Sequence, residues 1–167
     1  LKNDDYDFLL KEFEAKIQYI SPKIEKNSLM TIYKNKQNRY TMRAIYPDQQ
    51  FLENAIVESG RYINWSDIKN RNKCAVIGKL IEKDLFIHTP ALEKQINIDG
   101  IVYQVVGVFT DEGGDNDERI IYTPFTTIQK MYGNNDYINS IGLTYNPSLP
   151  VKDAMQFGND IEEKLKE

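Results

Sequence analysis

The run Gln95-Ile96-Asn97-Ile98-Asp99-Gly100-Ile101-Val102-Tyr103-Gln104-Val105-Val106 constrains the chain more than any other stretch. An Asp-Gly pair between two β-rich runs fits a two-residue type I′ turn, because both central positions of that turn need positive φ. A hairpin centred on Asp99-Gly100 follows. Val105 to Phe109 carries its second strand into the acidic loop Asp111 to Glu118, and Arg119 to Thr123 returns as another strand. Upstream, Cys74 to Gly78 is a short apolar run suited to a buried strand, and Lys79 to Phe86 brings Leu80, Ile81 and Leu85 to one helical face. A strand–helix unit beside an antiparallel hairpin gives an α+β class.

Periodicity extends this reading to both ends. Tyr6, Leu9, Leu10, Phe13 and Ile17 recur at helical spacing behind Asn3, Asp4 and Asp5, which predicts a capped helix over 4–16. Ile17 to Ile20 reads as a short strand stopped by Ser21-Pro22, since proline brings no donor to a ladder. Leu29 to Tyr33 and Arg39 to Tyr46 form a second hairpin with a longer loop over 34–38. A short helix over 48–54 is expected to bury Phe51, Leu52 and Ala55. Ile56 to Ile63 is extended and bent at Gly60, and Trp65-Ser66-Asp67-Ile68 is a capped turn before the charged loop 69–73. Thr126 caps a helix to Tyr132 that Gly133 ends, Tyr137 to Tyr145 is a strand, and Val151, Ala154, Met155, Gly158, Ile161 and Leu165 line a final helix.

Composition removes most chemistry. The 167 residues make one domain or two small subdomains sharing a core, and 21 basic against 25 acidic side chains, interspersed, argue against nucleic acid. The one cysteine, Cys74, and one histidine, His88, leave no disulfide framework, Cys/His zinc site or choice of catalytic triad. His88 reads as a helix-end residue facing the dipole, and Cys74 as a small buried hydrophobe. The loop Asp111 to Glu118 is rich in oxygen ligands, but Gly113-Gly114 breaks the EF-hand register, so a solvated loop is the plainer reading than a calcium site. No glycine-rich phosphate loop occurs, and no carboxylate pair is nominated by spacing. The eleven tyrosines could face a sugar or peptide, or simply cover a sheet. No catalytic, cofactor-binding or metal residue is assigned. The most apolar stretch, Ile101 to Phe109, contains Gln104 and is far shorter than the roughly 20 residues of a membrane span. The chain opens at Leu1 with no Met and no signal peptide, so it is expected to be cut from something longer.

From Gly60 onward the pieces occur in an order that resembles the periplasmic core domain of MacB-type ABC transporter permeases, a family extending to LolC/LolE-like and FtsX-like proteins. Ser59-Gly60-Arg61-Tyr62-Ile63 with Asp67 resembles the Gly-Arg-aromatic segment, and Cys74-Ala75-Val76-Ile77-Gly78 the buried strand after it. Leu85-Phe86 closes the helix as in the family. Ile96 to Gly100 with Tyr103 to Val108 resembles its hairpin, and Tyr122-Thr123-Pro124 with Thr127 the segment that follows. The family commonly has Gly after Leu-Phe and a Pro-aliphatic-Gly-Lys step; here Ile87 and Pro90-Ala91-Leu92-Glu93-Lys94 stand instead, so that turn is expected to be built differently.

The resemblance implies a two-lobed ectodomain: a porter-like lobe from residues 1–47 and 137–167, and an inserted α/β lobe over 48–136. It implies no enzyme and no cofactor, but a domain outside the cytoplasmic membrane that passes motion from cytoplasmic ATP hydrolysis to a substrate or partner during export. The partners implied are an ATP-binding subunit or domain, a membrane fusion protein or lipoprotein chaperone, and a second copy in a full-length dimer. Both terminal helices are then expected to end on one face. The rival expectations are a lipoprotein-releasing permease ectodomain, a free-standing secreted ligand-binding module, and a hydrolase using paired carboxylates. In this reading Gly60 is a bend and Arg61 a fixing ion pair or hydrogen bond.

Overall fold

The computed structural model describes residues 1–111, 117–133 and 136–165. Eight strands and six helices follow one another as α1 (Asn3–Phe13), β1 (Ile17–Tyr33), β2 (Lys36–Ile45), α2 (Gln49–Leu52), β3 (Ala55–Gly60), α3 (Trp65–Asn70), β4 (Cys74–Gly78), α4 (Lys79–Phe86), β5 (Gln95–Ile98), β6 (Ile101–Asp111), β7 (Ile120–Pro124), α5 (Phe125–Met131), β8 (Ser140–Tyr145) and α6 (Val151–Leu165). The class is α+β. The pairings β1–β2, β2–β7, β7–β4, β4–β6, β6–β5 and β5–β1 return to their start, so six strands close into a ring of ladders. β8 is added to β1 outside the ring, and β3 to β6. Closure leaves the six ring strands without a continuous open edge.

Burial explains why each run takes its place. β4 lies between β6 and β7 and is buried at all five positions, as an unbroken apolar run requires. β2 alternates, with Tyr40, Met42 and Ala44 buried and Thr41 and Arg43 half-buried on the other face. α4 buries Ile81, Leu85 and Phe86 against β1, β2, β4 and β6, and α5 buries Phe125, Thr127 and Ile128. The β5–β6 turn is as expected, with Asp99 at φ 53° and Gly100 at φ 84°.

Several expectations are corrected. Pro22 does not stop β1, which runs through it from Ile17 to Tyr33, 17 residues in all. The strand changes partners there: residues up to Lys23 pair with β8, and those from Lys23 onward pair with β2. Side chains fill the ladder around the proline, since Tyr46 N–H donates to Ser21 Oγ (3.0 Å) and Ile20 N–H to Asp48 Oδ2 (3.1 Å). The β1–β2 connection is a two-residue turn at Lys34-Asn35, because Tyr33 and Lys36 already pair. Phe51 is 52% exposed, stacked on Tyr19 at 4.8 Å, while Gln49 takes the buried side of α2 and bonds Glu53. The first helix starts at Asn3 with Lys2 at its cap, whose N–H donates to Asp5 Oδ2 (2.7 Å). The turn at Trp65 is a full helix extending into the expected loop 69–73, and β8 starts at Ser140 rather than Tyr137. Met155 is exposed, since at about 100° per residue it falls at the edge of the stripe through Gly158, Ile161 and Leu165. The expected contacts of Val151 and Ala154, and residues 112–116 of the acidic loop considered for calcium, lie outside the described residues.

The turn after α4 is built on Ile87 at φ 43° and ψ −145°, a backbone that glycine adopts freely and a β-branched residue does not. Ile87 is also 45% exposed, so it recovers little by burial. Ile87→Gly is expected to stabilise the fold by about 1–2 kcal/mol, read as a rise of roughly 2–8 °C in the thermal midpoint.

Candidate functional site

Four of the sequence pieces that carry the family resemblance meet in one place. β3 ends at Gly60, whose φ of 73° turns the chain out of the β3–β6 ladder. Gly60 faces Gly107 across that ladder, and the backbones approach so closely that a Cβ on Gly107 would lie 2.0 Å from Arg61 O and one on Gly60 2.2 Å from Val106 O. Arg61 N–H donates to Val106 O at 2.9 Å, so the turn is clamped on β6. The bend delivers the Arg61 side chain to α3.

There the Asp67 carboxylate is buried and satisfied by four donors. Arg61 Nη1 and Nη2 reach Oδ2 and Oδ1 at 2.7 and 3.1 Å, Asn64 N–H reaches Oδ2 at 3.0 Å, and Asn72 Nδ2 reaches Oδ1 at 2.8 Å. Asn64 caps α3 in return, its Oδ1 accepting Asp67 N–H at 3.0 Å. Burial alone would push the Asp67 carboxyl up; the hydrogen bonds from Arg61, Asn72 and Asn64 outweigh it and hold it below the usual carboxylate range. α5 grips the same segment from β7's side, with Thr126 Oγ1 donating to Ile68 O (2.6 Å) and Thr127 Oγ1 to Asn72 O (2.8 Å). Thr126 thus ties two helices instead of capping its own.

This constellation fastens; it does not react. Every lone-pair direction of Asp67 is in use, and burial, reinforced by the neighbouring Asp67 charge, pushes the Cys74 thiol up to about 12, away from nucleophilic character. His88 is exposed just beyond α4 and lines an open groove with Glu58, Lys79 and Pro90, with no hydrogen bond among the described residues. Among the described residues no cluster of His, Cys, Asp or Glu could hold a metal.

A second charged cluster had no signal in the sequence. Arg43 donates from Nε to Glu25 and from Nη1 to Glu53, each at 2.8 Å, while Glu53 also accepts from Tyr122 and from Gln49 Nε2 (2.7 Å). Burial first, and then Glu53, raises the Tyr122 phenol. Glu53 joins α2 to β2 and β7. Only alternation on β2, which turns Arg43 away from Met42 and Ala44, could have pointed to it.

The whole chain is similar to known proteins. A family model described as the MacB-like periplasmic core domain matches residues 1–156. The macrolide export ATP-binding/permease protein MacB of Wolinella succinogenes is 30% identical over 106 residues, which are 61% of this chain and 16% of that protein. The periplasmic region of MacB from Actinobacillus actinomycetemcomitans superposes with a TM-score of 0.85 at 20% identity, over 99% of this chain and 74% of that one. The extracellular domain of the transporter YknZ from Gram-positive bacteria superposes at 0.77 and 19% identity, over 98% and 84%. The chain therefore spans about a sixth of the first of these relatives, and no helix among the described residues is long and apolar enough to cross a membrane.

Removing the Asp67 carboxylate strands the Arg61 guanidinium and two other donors, Asn64 N–H and Asn72 Nδ2, so Asp67→Ala is expected to cost about 3 kcal/mol, measured by urea unfolding. The figure sits at the low end for a buried pair because Arg61 is 44% exposed and screened. The pH sign follows from the lowered carboxyl: the stabilisation is present above the unfolded carboxylate range and is lost as pH falls below about 4. The stability gap between the native chain and Asp67→Asn should therefore shrink from pH 7 to pH 3. Gly107→Ala, which drives a methyl into Arg61 O, should cost at least about 2 kcal/mol in the same assay.

Proposed function

The chain belongs to the MacB-like periplasmic core domain family, and on that premise we propose that it transmits motion from cytoplasmic ATP hydrolysis to a substrate or partner outside the membrane during export. It does so without bond chemistry of its own. The partners are an ATP-binding subunit or domain reached through membrane helices, a second copy of the permease, and a membrane fusion protein or lipoprotein chaperone on the outer side. The domain sits on the extracytoplasmic face of a bacterial inner membrane, anchored by segments flanking it.

One observation carries the reading. β1 is a single strand of 17 residues, roughly 55 Å of extended chain, hydrogen-bonded to β8 in its first half and to β2 and β5 in its second. A displacement at one end of such a strand is carried along its ladders to the other end, past the local bend between Lys26 and Leu29. The start of the chain is also tied to the segment that leads into β8, with Ile138 N–H donating to Leu1 O at 2.8 Å and Asn3 N–H to Asp136 O at 3.0 Å. The Ile138–Leu1 bond and the pairing of β8 with β1 support a division in which residues 1–47 and 137–167 act as the membrane-proximal lobe and 48–136 as the lobe it drives. The Asp67 fastening keeps β3, α3 and α5 together inside the driven part.

The test uses the full-length permease in lipid vesicles. A donor dye on Asn38→Cys, with Cys74 buried and unreactive, is read against an acceptor in the lipid headgroups. Energy transfer is expected to change on adding ATP and to return after hydrolysis. A transfer efficiency that stays constant through the ATP cycle, in vesicles that hydrolyse ATP, would overturn the proposal.

A further inference from the structure

The outward faces of β1 and β2 bound a groove of about 380 Å³ whose lining includes Asn27, Arg39, Thr41, Arg43, Arg119 and Glu25. In a chain of formal charge −4, three guanidinium groups against one lining carboxylate are a local reversal of sign. Two of the three are already balanced: Arg43 lies between Glu25 and Glu53, and Arg119 Nε is 3.6 Å from Asp84. Arg39 is different. Among the described residues its guanidinium bonds only the Ser28 carbonyl, at 2.8 Å, and meets no carboxylate.

The backbone is shaped to produce this arrangement. The β1–β2 register slips between Lys26 and Leu29, and Ser28 takes φ 58°. Such a bulge re-aims side chains and bends the strand locally. Here it turns the Ser28 carbonyl toward Arg39 and brings Asn27 beside Thr41, whose hydroxyl donates to Asn27 Oδ1 at 3.2 Å. That bond orients the Asn27 amide so that its NH2 end remains a donor. Glu25, the one anion in the lining, is held by Arg43 Nε at 2.8 Å, while Lys23 Nζ, 3.9 Å from Glu53, offsets Arg43's second carboxylate.

We propose that this groove binds a small phosphate-class oxyanion, with Arg39 supplying the uncompensated charge and Arg119 and the Asn27 amide supplying further donors. Guanidinium forks match oxyanions in geometry, and two of them lining one groove with a neutral amide suit a group with three acceptor oxygens better than a carboxylate with two. The inference goes beyond the transport reading and does not depend on it. The phosphate can come from a soluble ester or from a lipid headgroup.

The test is titration of the 167-residue chain with inorganic phosphate at low ionic strength, followed by side-chain amide and guanidinium NMR signals. Saturable shifts are expected at Arg39, Arg119 and Asn27, with affinity falling about tenfold in Arg39→Gln and in Arg119→Gln while the thermal midpoints stay close to that of the native chain. Unsaturable shifts shared with Lys69, Arg71 and Lys73, or unchanged affinity in both variants, would overturn the site. Acetate binding as tightly as phosphate would overturn the phosphate class. Vesicles containing phosphatidic acid, whose headgroup is a phosphate monoester, and vesicles of phosphatidylcholine alone separate the sources: binding to the first only, lost in Arg39→Gln, assigns a lipid headgroup, whereas binding of free phosphate with no vesicle association assigns a soluble ester.

Discussion

The buried carboxylate of Asp67 is the point on which the middle of this fold depends. A carboxylate out of water is costly unless its lone pairs are filled, and here four donors from three residues fill them. Each donor comes from a segment that would otherwise be free to wander: Arg61 from the chain leaving β3, Asn64 from the cap of α3, Asn72 from the approach to β4. Satisfying one charge therefore sets the path of some twelve residues. The glycine pair Gly60 and Gly107 is subordinate to the same end, because only bare backbones come close enough to aim Arg61 inward.

The stretches of the chain that read correctly are those whose signals are local. The Asp99-Gly100 turn, the apolar run of β4 and the helical face of α4 depend on φ preference and periodicity, and they stand where these placed them. The reading of Gly60 as a bend and Arg61 as an ion-paired residue also agrees with the geometry. It drew on the family resemblance, since nothing in the spacing of Arg61 and Asp67 alone specifies a bidentate pair. The failures share a cause. Pro22, Phe51 and Thr126 were each placed by a local rule that a contact from another element overrode: Tyr46 and Asp48 completed the ladder beside the proline, Tyr19 drew Phe51 outward, and Ile68 took the Thr126 hydroxyl.

The cluster of Arg43, Glu25, Glu53 and Tyr122 had no legible signal, and that too has a physical reason. Its members come from β1, β2, the end of α2 and β7, so no spacing along the chain relates them. Closing the ring of strands brings them together. The same closure presents Arg39 and Arg119 to one groove although eighty positions separate them in sequence. Charged residues scattered through a composition can thus become a concentrated field only after topology is known.

The pairing of β1 with β8 bears on how the molecule is made. Tyr19 N–H donates to the Thr144 hydroxyl, a contact spanning 125 positions. At a synthesis rate of about 5–20 residues per second, the first half of β1 waits roughly 6–25 s for its partner strand. Its second half has β2 at once. The newborn chain therefore carries a half-finished strand with an open row of backbone donors and acceptors, a natural substrate for holding factors, and Pro22 lies within that row, where a missing donor lowers the appeal of the edge to stray strands.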